Sequence, residues 1–281
     1  MTQNPQTEKT GWKANLSLEF KATPLRTVIS KREHKGPLAI QRPFYPENDV
    51  CHVYLLHPPG GVVGGDQLHI DVELKEQAQV LITTPGATKF YRNTGQLAEQ
   101  KQILNIANGC ALEWFPQENI FFDNTHSALS TTVNLEKSAR FMGWEIQCYG
   151  RPAANELFST GQITTTLEIF RDKKPILLDR LQLNNQAELN SPLCINNYPC
   201  FGTFISTHAT PQLLEKARLA VADLETANNV EMGITLLDDL LIARCLGQHS
   251  EQVSTQLKSI WSALRNDVMQ RPVCLPRIWA T

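Results

Sequence analysis

The chain has 281 residues, with 26 lysines and arginines against 28 aspartates and glutamates, a formal net charge of -2 and 42% hydrophobic residues. That balance fits a globular protein and excludes the strongly basic surface of a nucleic-acid or anionic-membrane binder. The longest apolar candidate, TLLDDLLIARCLG from Thr235, is cut by Asp238, Asp239 and Arg244 and falls short of the roughly 20 residues a membrane helix needs.

The N-terminus is polar and lacks a basic start followed by an apolar run, so residues 1–15 are expected to be disordered and the protein cytoplasmic. One domain is expected over 16–281, with a β-rich body to about 208 and helices within about 210–271. The seven cysteines are scattered without a C-x-x-C pair, which implies a reducing setting and buried free thiols.

The first clear strand is CHVYLLH, from Cys51. It runs into HPPGGVVGGD (57–66), where four of the chain's 15 glycines fall within six residues. QLHIDVEL follows, alternating Leu68, Ile70, Val72 and Leu74 with polar residues, as a half-buried strand does. A phosphate-binding glycine loop needs a helix after it, and here a strand follows, with no Gly-Lys-Ser/Thr. The glycines therefore read as a bend that brings two strands close.

The chain then repeats itself. Val72, Leu74, Ala78 and Val80 match Leu104, Ile106, Cys110 and Leu112, and again Val133, Leu135, Ala139 and Phe141, in units that start 32 and 29 residues apart. Each unit is strand, turn, strand, the mark of stacked coils that bury their faces on one another. A sandwich with hairpins of similar length is the other reading. The stretches after the units, from Thr83, Phe115 and Trp144, should then lie side by side at one edge. That edge would gather Lys89, Tyr91, Arg92, Gln117, Glu118, Glu145, Arg151 and Glu156 into a polar docking surface.

The last third reads as helical. Thr210 is placed to cap a helix with Pro211 at its first position, and Leu213, Ala217, Ala220, Val221 and Leu224 share a face. A second helix is expected from Thr235, and a third over Val253, Leu257, Ile260, Trp261, Leu264 and Val268, stopped by Pro272.

Two chemistries stand out. Cys51, His52, His57, Asp66 and His69 crowd the glycine bend and suit a divalent ion such as nickel or zinc, yet no closed-site ligand spacing appears. Glu113, Glu118, Asp123, Glu145 and Glu156 could instead supply the carboxylate pair of a β-helix carbohydrate-active hydrolase.

Five blocks carry a family resemblance: HPPGGVVGGD (57–66), TTPGATKFYR (83–92), LEWFPQENIFFD (112–123), GWEIQCYGR (143–151) and PRIWAT (276–281). In this order they resemble the urease accessory protein family UreD, also called UreH, with departures at Asn119, Phe122, Cys148 and Tyr149. The resemblance implies a non-enzymatic scaffold or chaperone in metallocentre assembly, with a β-helix-like (solenoidal), mostly β body and a helical C-terminal portion. It implies three partners: a UreF-type helical accessory protein, a UreG-type nickel-binding GTPase and urease apoprotein. No cofactor is expected to be held tightly. Nickel is expected as a transient passenger, with His57, Asp66, His69, Glu118 and Glu145 as candidate ligands along its route.

Overall fold

The computed structural model describes residues 11–93 and 95–280, the side chains of 225–228 excepted. The chain winds in coils. The first combines β1 (Lys13–Ala22) with a hairpin partner β2 (Thr27–Lys35), a short β3 (Ala39–Ile40) and β4 (Cys51–Leu56). The second runs through β5 (Gln67–Lys75), β6 (Gln79–Thr83) and β7 (Thr88–Phe90), and the third through β8 (Ala98–Ile106), β9 (Ala111–Phe115) and β10 (Asn119–Phe121). The fourth is β11 (His126–Leu135) and the long β12 (Arg140–Arg151), followed by β13 (Glu156–Leu157). The hairpin β14 (Thr160–Arg171) and β15 (Lys174–Asn185) closes one sheet, and the short helix α1 (Gln186–Asn190) leads to β16 (Cys200–Ser206). The end of the chain contributes α2 (Pro211–Asn228), the hairpin β17 (Glu231–Leu237) and β18 (Leu240–Gly247), and α3 (Ser250–Met269).

Two sheets face each other. One has the order β15-β14-β11-β8-β5-β1-β2, and its five middle strands are parallel. The other has the order β17-β18-β16-β12-β9-β6-β4-β3, parallel from β4 to β12 and antiparallel beyond.

The sequence repeat is the structural register. Val72 lies opposite Leu104, and Leu104 opposite Val133; Val80 lies opposite Leu112, and Leu112 opposite Phe141. The turn bond recurs too: the amides of Ala78, Cys110 and Ala139 donate to the carbonyls of Lys75, Ala107 and Glu136. Those three small residues are fully buried, because a larger side chain at that corner would meet the coil above or below. The repeated apolar residues form one core between the sheets. A second core lies on the outer face of the β16–β18 sheet, where α3 packs Val253, Leu257, Ile260, Trp261, Leu264 and Val268 against it.

Two expectations are corrected. The stretch from Thr235 is the hairpin β17–β18, not a helix. Leu240 and Ile242 enter the inner core while Leu241, Ala243 and Cys245 enter the outer one, so both faces are buried and no helical stripe exists. Asp238, at φ 51°, makes the turn. The ordered chain also begins before residue 16. Residues 1–10 of the polar segment lie outside the described residues, but Lys13–Asn15 already pair with Gln67–His69. Helix α2 starts as expected, with the Thr210 hydroxyl accepting from the Leu213 amide at 3.3 Å.

Candidate functional site: a passage between the sheets

The glycine bend is a crossing point between neighbouring coils. A Cβ on Gly61 would stand 2.3 Å from the Tyr91 ring, and Gly65 has φ 91° against Gly11. Asp66 holds the bend: its two carboxylate oxygens accept from the amides of Trp12 (2.8 Å) and Val63 (3.0 Å). Asp66 is thus a loop-capping residue, bordering an outer hollow of about 560 Å³ with Trp12, Tyr91 and Arg92. His69 lies 3.1 Å from Asp71, with its side chain 36% exposed. Only His57 of these three borders the main cavity, and burial pushes its pKa below the ordinary histidine value despite nearby Asp66.

That cavity, of about 520 Å³, lies between the sheets. Its wall is mostly apolar, with Leu38, Leu55, Leu68, Ile70 and Trp114 among the lining residues, and strand register explains where the polar side chains enter it. Directly opposed residues in neighbouring strands point to the same face. On one sheet, Ile70, Gln102, Thr131, Leu167 and Asp179 form a single cross-strand row. On the facing sheet, Glu145, Thr203, Arg244 and Gly233 form another. The rows touch: Thr131 donates its hydroxyl to Glu145, and Arg244 donates to Asp179 at 2.7 Å. One level away, Thr88, Asn119 and Gln147 line up on one side and Gln100, Leu129 and Thr165 on the other.

These rows wall three adjoining hollows along the coil axis. The main cavity reaches Gln100, Gln102, Asn119 and Glu145. A constriction of about 30 Å³ continues past Glu145, Gln147, Thr165 and Thr203 to Asp179. A third hollow, of about 400 Å³, opens from Asp179 past Arg244 and Gly233. Glu145 borders both of the first two hollows, and Asp179, Arg180, Leu181 and Phe201 border both of the last two.

Glu145 is 8% exposed. Burial pushes its pKa up to about 7, the nearby Asp179 adds to the rise, and the bonds from Thr131 and Gln147 only partly oppose it. The side-chain oxygens of Gln102 and Gln147, both 3% exposed, have no hydrogen-bond partner among the described residues. Unpaired buried acceptors are costly, and these two belong to residues that border the hollows. The polar groups set into this otherwise apolar wall are chiefly amide, hydroxyl and carboxylate oxygens around Glu145. Among the described residues, no three of His, Cys, Asp and Glu converge on a common metal position.

The expected edge is present in part. β7, β10 and the end of β12 run parallel, with Thr88, Asn119 and Gln147 in one register and Phe90, Phe121 and Tyr149 in another. Lys89 and Arg92 are exposed there, with Tyr91, Gln117 and Glu118 partly covered beside them. Arg151 stacks over Phe122 at 4.8 Å and donates through Nε to Glu156 at 2.7 Å. Glu118 accepts from Ser250, the first residue of α3, at 3.2 Å, where a helix N-terminus favours a carboxylate. Glu145 is not on this edge, since its side chain faces the interior.

The five carboxylates of the hydrolase reading are held separately. Glu113 takes Trp261 and Arg265, Asp123 takes the amides of Ser159 and Thr160, Glu118 takes Ser250 and Glu156 takes Arg151. Only Glu145 of the five borders the cavity.

Sequence reasoning missed two groups. The glutamines Gln100 and Gln102 occupy inward positions between Ala98 and Leu104, so polar residues in an apolar phase were the available signal. The other group is a buried charge network under the C-terminal tail. Arg265, fully buried, binds Glu113 at 2.8 Å and Glu47 at 2.7 Å, while His52 contacts Glu47 at 2.7 Å. Burial alone would raise Glu47, but the bonds from His52 and Arg265 hold its pKa at about 2. The terminal PRIWAT block ends in the same region, with Trp279 packed on Phe115, Trp144 and Trp261 and bonded to Thr83 at 3.0 Å.

The family model described as UreD urease accessory protein matches residues 13–280. The chain is 44% identical to the urease accessory protein UreD of Alcanivorax borkumensis over 275 residues, covering 96% of this chain and 93% of that one. It is 41% identical to UreD of Aliivibrio fischeri strain MJ11, with 98% of each chain covered. It is 42% identical to UreD of Klebsiella aerogenes, with 97% of this chain and 98% of that one covered.

Proposed function

The chain belongs to the UreD family of urease accessory proteins and has a role in urease maturation; within that role, we propose that it is a non-enzymatic scaffold whose interior lets nickel travel toward urease apoprotein. The observation that carries this reading is the position of Glu145. It is a buried carboxylate between two adjoining hollows, with unpartnered glutamine oxygens beside it. Such a group costs stability, and a cost of that kind is expected where function requires it.

The chemistry suits a moving ion. Single carboxylate, amide and hydroxyl oxygens in incomplete sets bind a borderline divalent ion weakly and release it. With its pKa near 7, Glu145 exchanges a proton for a metal at neutral pH without a large driving force either way. His57 at the first cavity supplies a neutral imidazole as a further transient donor. Glu118 is held by Ser250 and belongs with the docking edge. In this reading the edge and the exposed end faces meet the UreF-type helical protein, the UreG-type GTPase and the apoprotein.

The test is Glu145→Leu in cells that carry the urease structural and accessory genes. The expected result is an intact assembly by pull-down, with urease activity and urease-bound nickel reduced at least tenfold. Normal nickel loading in an intact assembly overturns the route.

A further inference from the structure

We propose that the ion pair between Asp179 and Arg244 is a gate at the β15–β18 end of the passage, opened when the Arg244 side chain turns away from Asp179. The proposal rests on reading the interior as a cation route.

Position is the first argument. Asp179 is the next residue but one after Thr131 in its row, and Arg244 the next but one after Glu145 in the facing row. The pair therefore bridges the two rows two strands outward from the Thr131–Glu145 contact. Asp179 borders both the constriction and the outer hollow, whereas Arg244 borders only the outer one. The guanidinium sits on the solvent side, the carboxylate on the wall between.

The second argument is what lies inside. The constriction has room for about one water. Its wall includes Gln147, whose oxygen is buried and unpartnered. With Arg244 in place, a cation leaving Glu145 meets a neutralised Asp179 and a positive charge beyond it. With Arg244 turned away, Asp179 becomes a second carboxylate on the same path.

The third argument is that the pair can part without unfolding. The Arg244 and Asp179 side chains are 47% and 33% exposed. Ion pairs in such surroundings contribute little to stability and exchange readily. A second pair, Arg171–Asp239 at 2.6 Å, ties β14 to the β17–β18 turn. The strands therefore stay joined while Arg244, held to Asp179 by one bond, rotates away.

The test measures access to the constriction. Thr165→Cys places a thiol on its wall, and native Cys194 borders the outer hollow beyond the gate. The full-length protein is treated with a small cationic methanethiosulfonate, and modification is followed at each cysteine by peptide mass spectrometry. Adding Arg244→Gln should raise the rate at position 165 at least tenfold and leave Cys194 unchanged. Arg244→Lys, and the exchange Asp179→Arg with Arg244→Asp, should return the rate toward its starting value. An unchanged rate at 165 with Arg244→Gln, or equal acceleration at Cys194, overturns the gate. Urease-bound nickel in cells carrying the same variants, without Thr165→Cys, separates the two readings. If access at 165 changes and nickel loading does not, the gate stands and the cation route falls.

Discussion

Thr131 of one sheet donates its hydroxyl to Glu145 of the other, and this contact joins the two layers across the interior of the coil stack. Glu145 is nevertheless under-satisfied. Its other oxygen has only the Gln147 amide at 3.4 Å, a long bond. An apolar pair at this level would pack the two sheets at lower cost. The molecule instead keeps a carboxylate with space on both sides of it.

That choice has a signature in stability. The folded-state pKa of Glu145, about 7, lies above its ordinary value of 4.5. The native state therefore holds the proton more tightly than the unfolded state. Stability is greatest below about pH 4.5 on this account and falls as pH rises toward 7, by about 3 kcal/mol in total. Glu145→Gln removes the titration. In urea denaturation, the variant should gain on the parent by a few kcal/mol between pH 5 and pH 8. Parallel pH profiles for the two proteins would refute the assignment.

The charge network at Arg265 makes the opposite kind of prediction. Arg265→Met leaves Glu47 and Glu113 buried without their cation, and breaking a buried pair on one side costs about 3–5 kcal/mol. Thermal unfolding should show that loss. Adding Glu47→Gln and Glu113→Gln should recover a large part of it, since neutral amides need no counter-charge. For the parent, Glu47 sits at about 2 against 4.5, so its share of stability is complete above pH 4.5 and is lost as pH falls toward 2. A single mutant as stable as the parent would mean that the network contributes nothing.

What could be read from the sequence follows how far apart the cooperating residues are. The repeat was legible because Val72, Leu104 and Val133 are equivalent positions in successive coils, and a coil corner tolerates only small residues such as Ala78, Cys110 and Ala139. The α3 stripe was legible because one face packs on one sheet. The β17–β18 hairpin was not, because β18 is buried on both faces and has no period to read. Arg265 lies 152 residues from Glu113 and 218 from Glu47, and Asp179 lies 65 from Arg244. No local pattern links such pairs; strand register brings Asp179 to Arg244, and the packing of α3 on the sheet brings Arg265 to Glu113 and Glu47. Gln100 and Gln102 were within reach, as polar residues in an inward phase.

The docking edge gives a prediction about rates. Lys89 and Arg92 are exposed on it, and Lys89 also borders the main cavity. Reversing both to Glu should slow association with the urease assembly and weaken its dependence on salt, while leaving the fold unchanged, as rim charges do. Arg151→Glu acts differently, because Arg151 already holds Glu156 and covers Phe122 within the chain. That change should loosen the β12–β13 corner without a matching effect on salt dependence. Association kinetics at low and high salt distinguish the two, and identical salt slopes for the parent and the Lys89 and Arg92 double variant would count against a charged edge.

Asp66 holds the glycine bend in place. Both of its oxygens accept from backbone amides, Trp12 from the strand entry and Val63 from the bend itself. Asp66→Asn keeps one acceptor and turns the other position into a donor that faces an amide donor. One bond is lost and a polar group is left unpaired, at a cost of about 1–3 kcal/mol. The first effect should be local: the start of β1 pairs with β5 beside Asp66, so the N-terminal strand should fray and become open to protease ahead of the remaining chain. Urease activation should then fall only as far as the amount of folded protein falls. Limited proteolysis and activation, both normalised to soluble protein, are the measurements. If Asp66→Asn leaves the protease pattern intact yet abolishes nickel loading, Asp66 is a ligand on the route and its capping role is secondary.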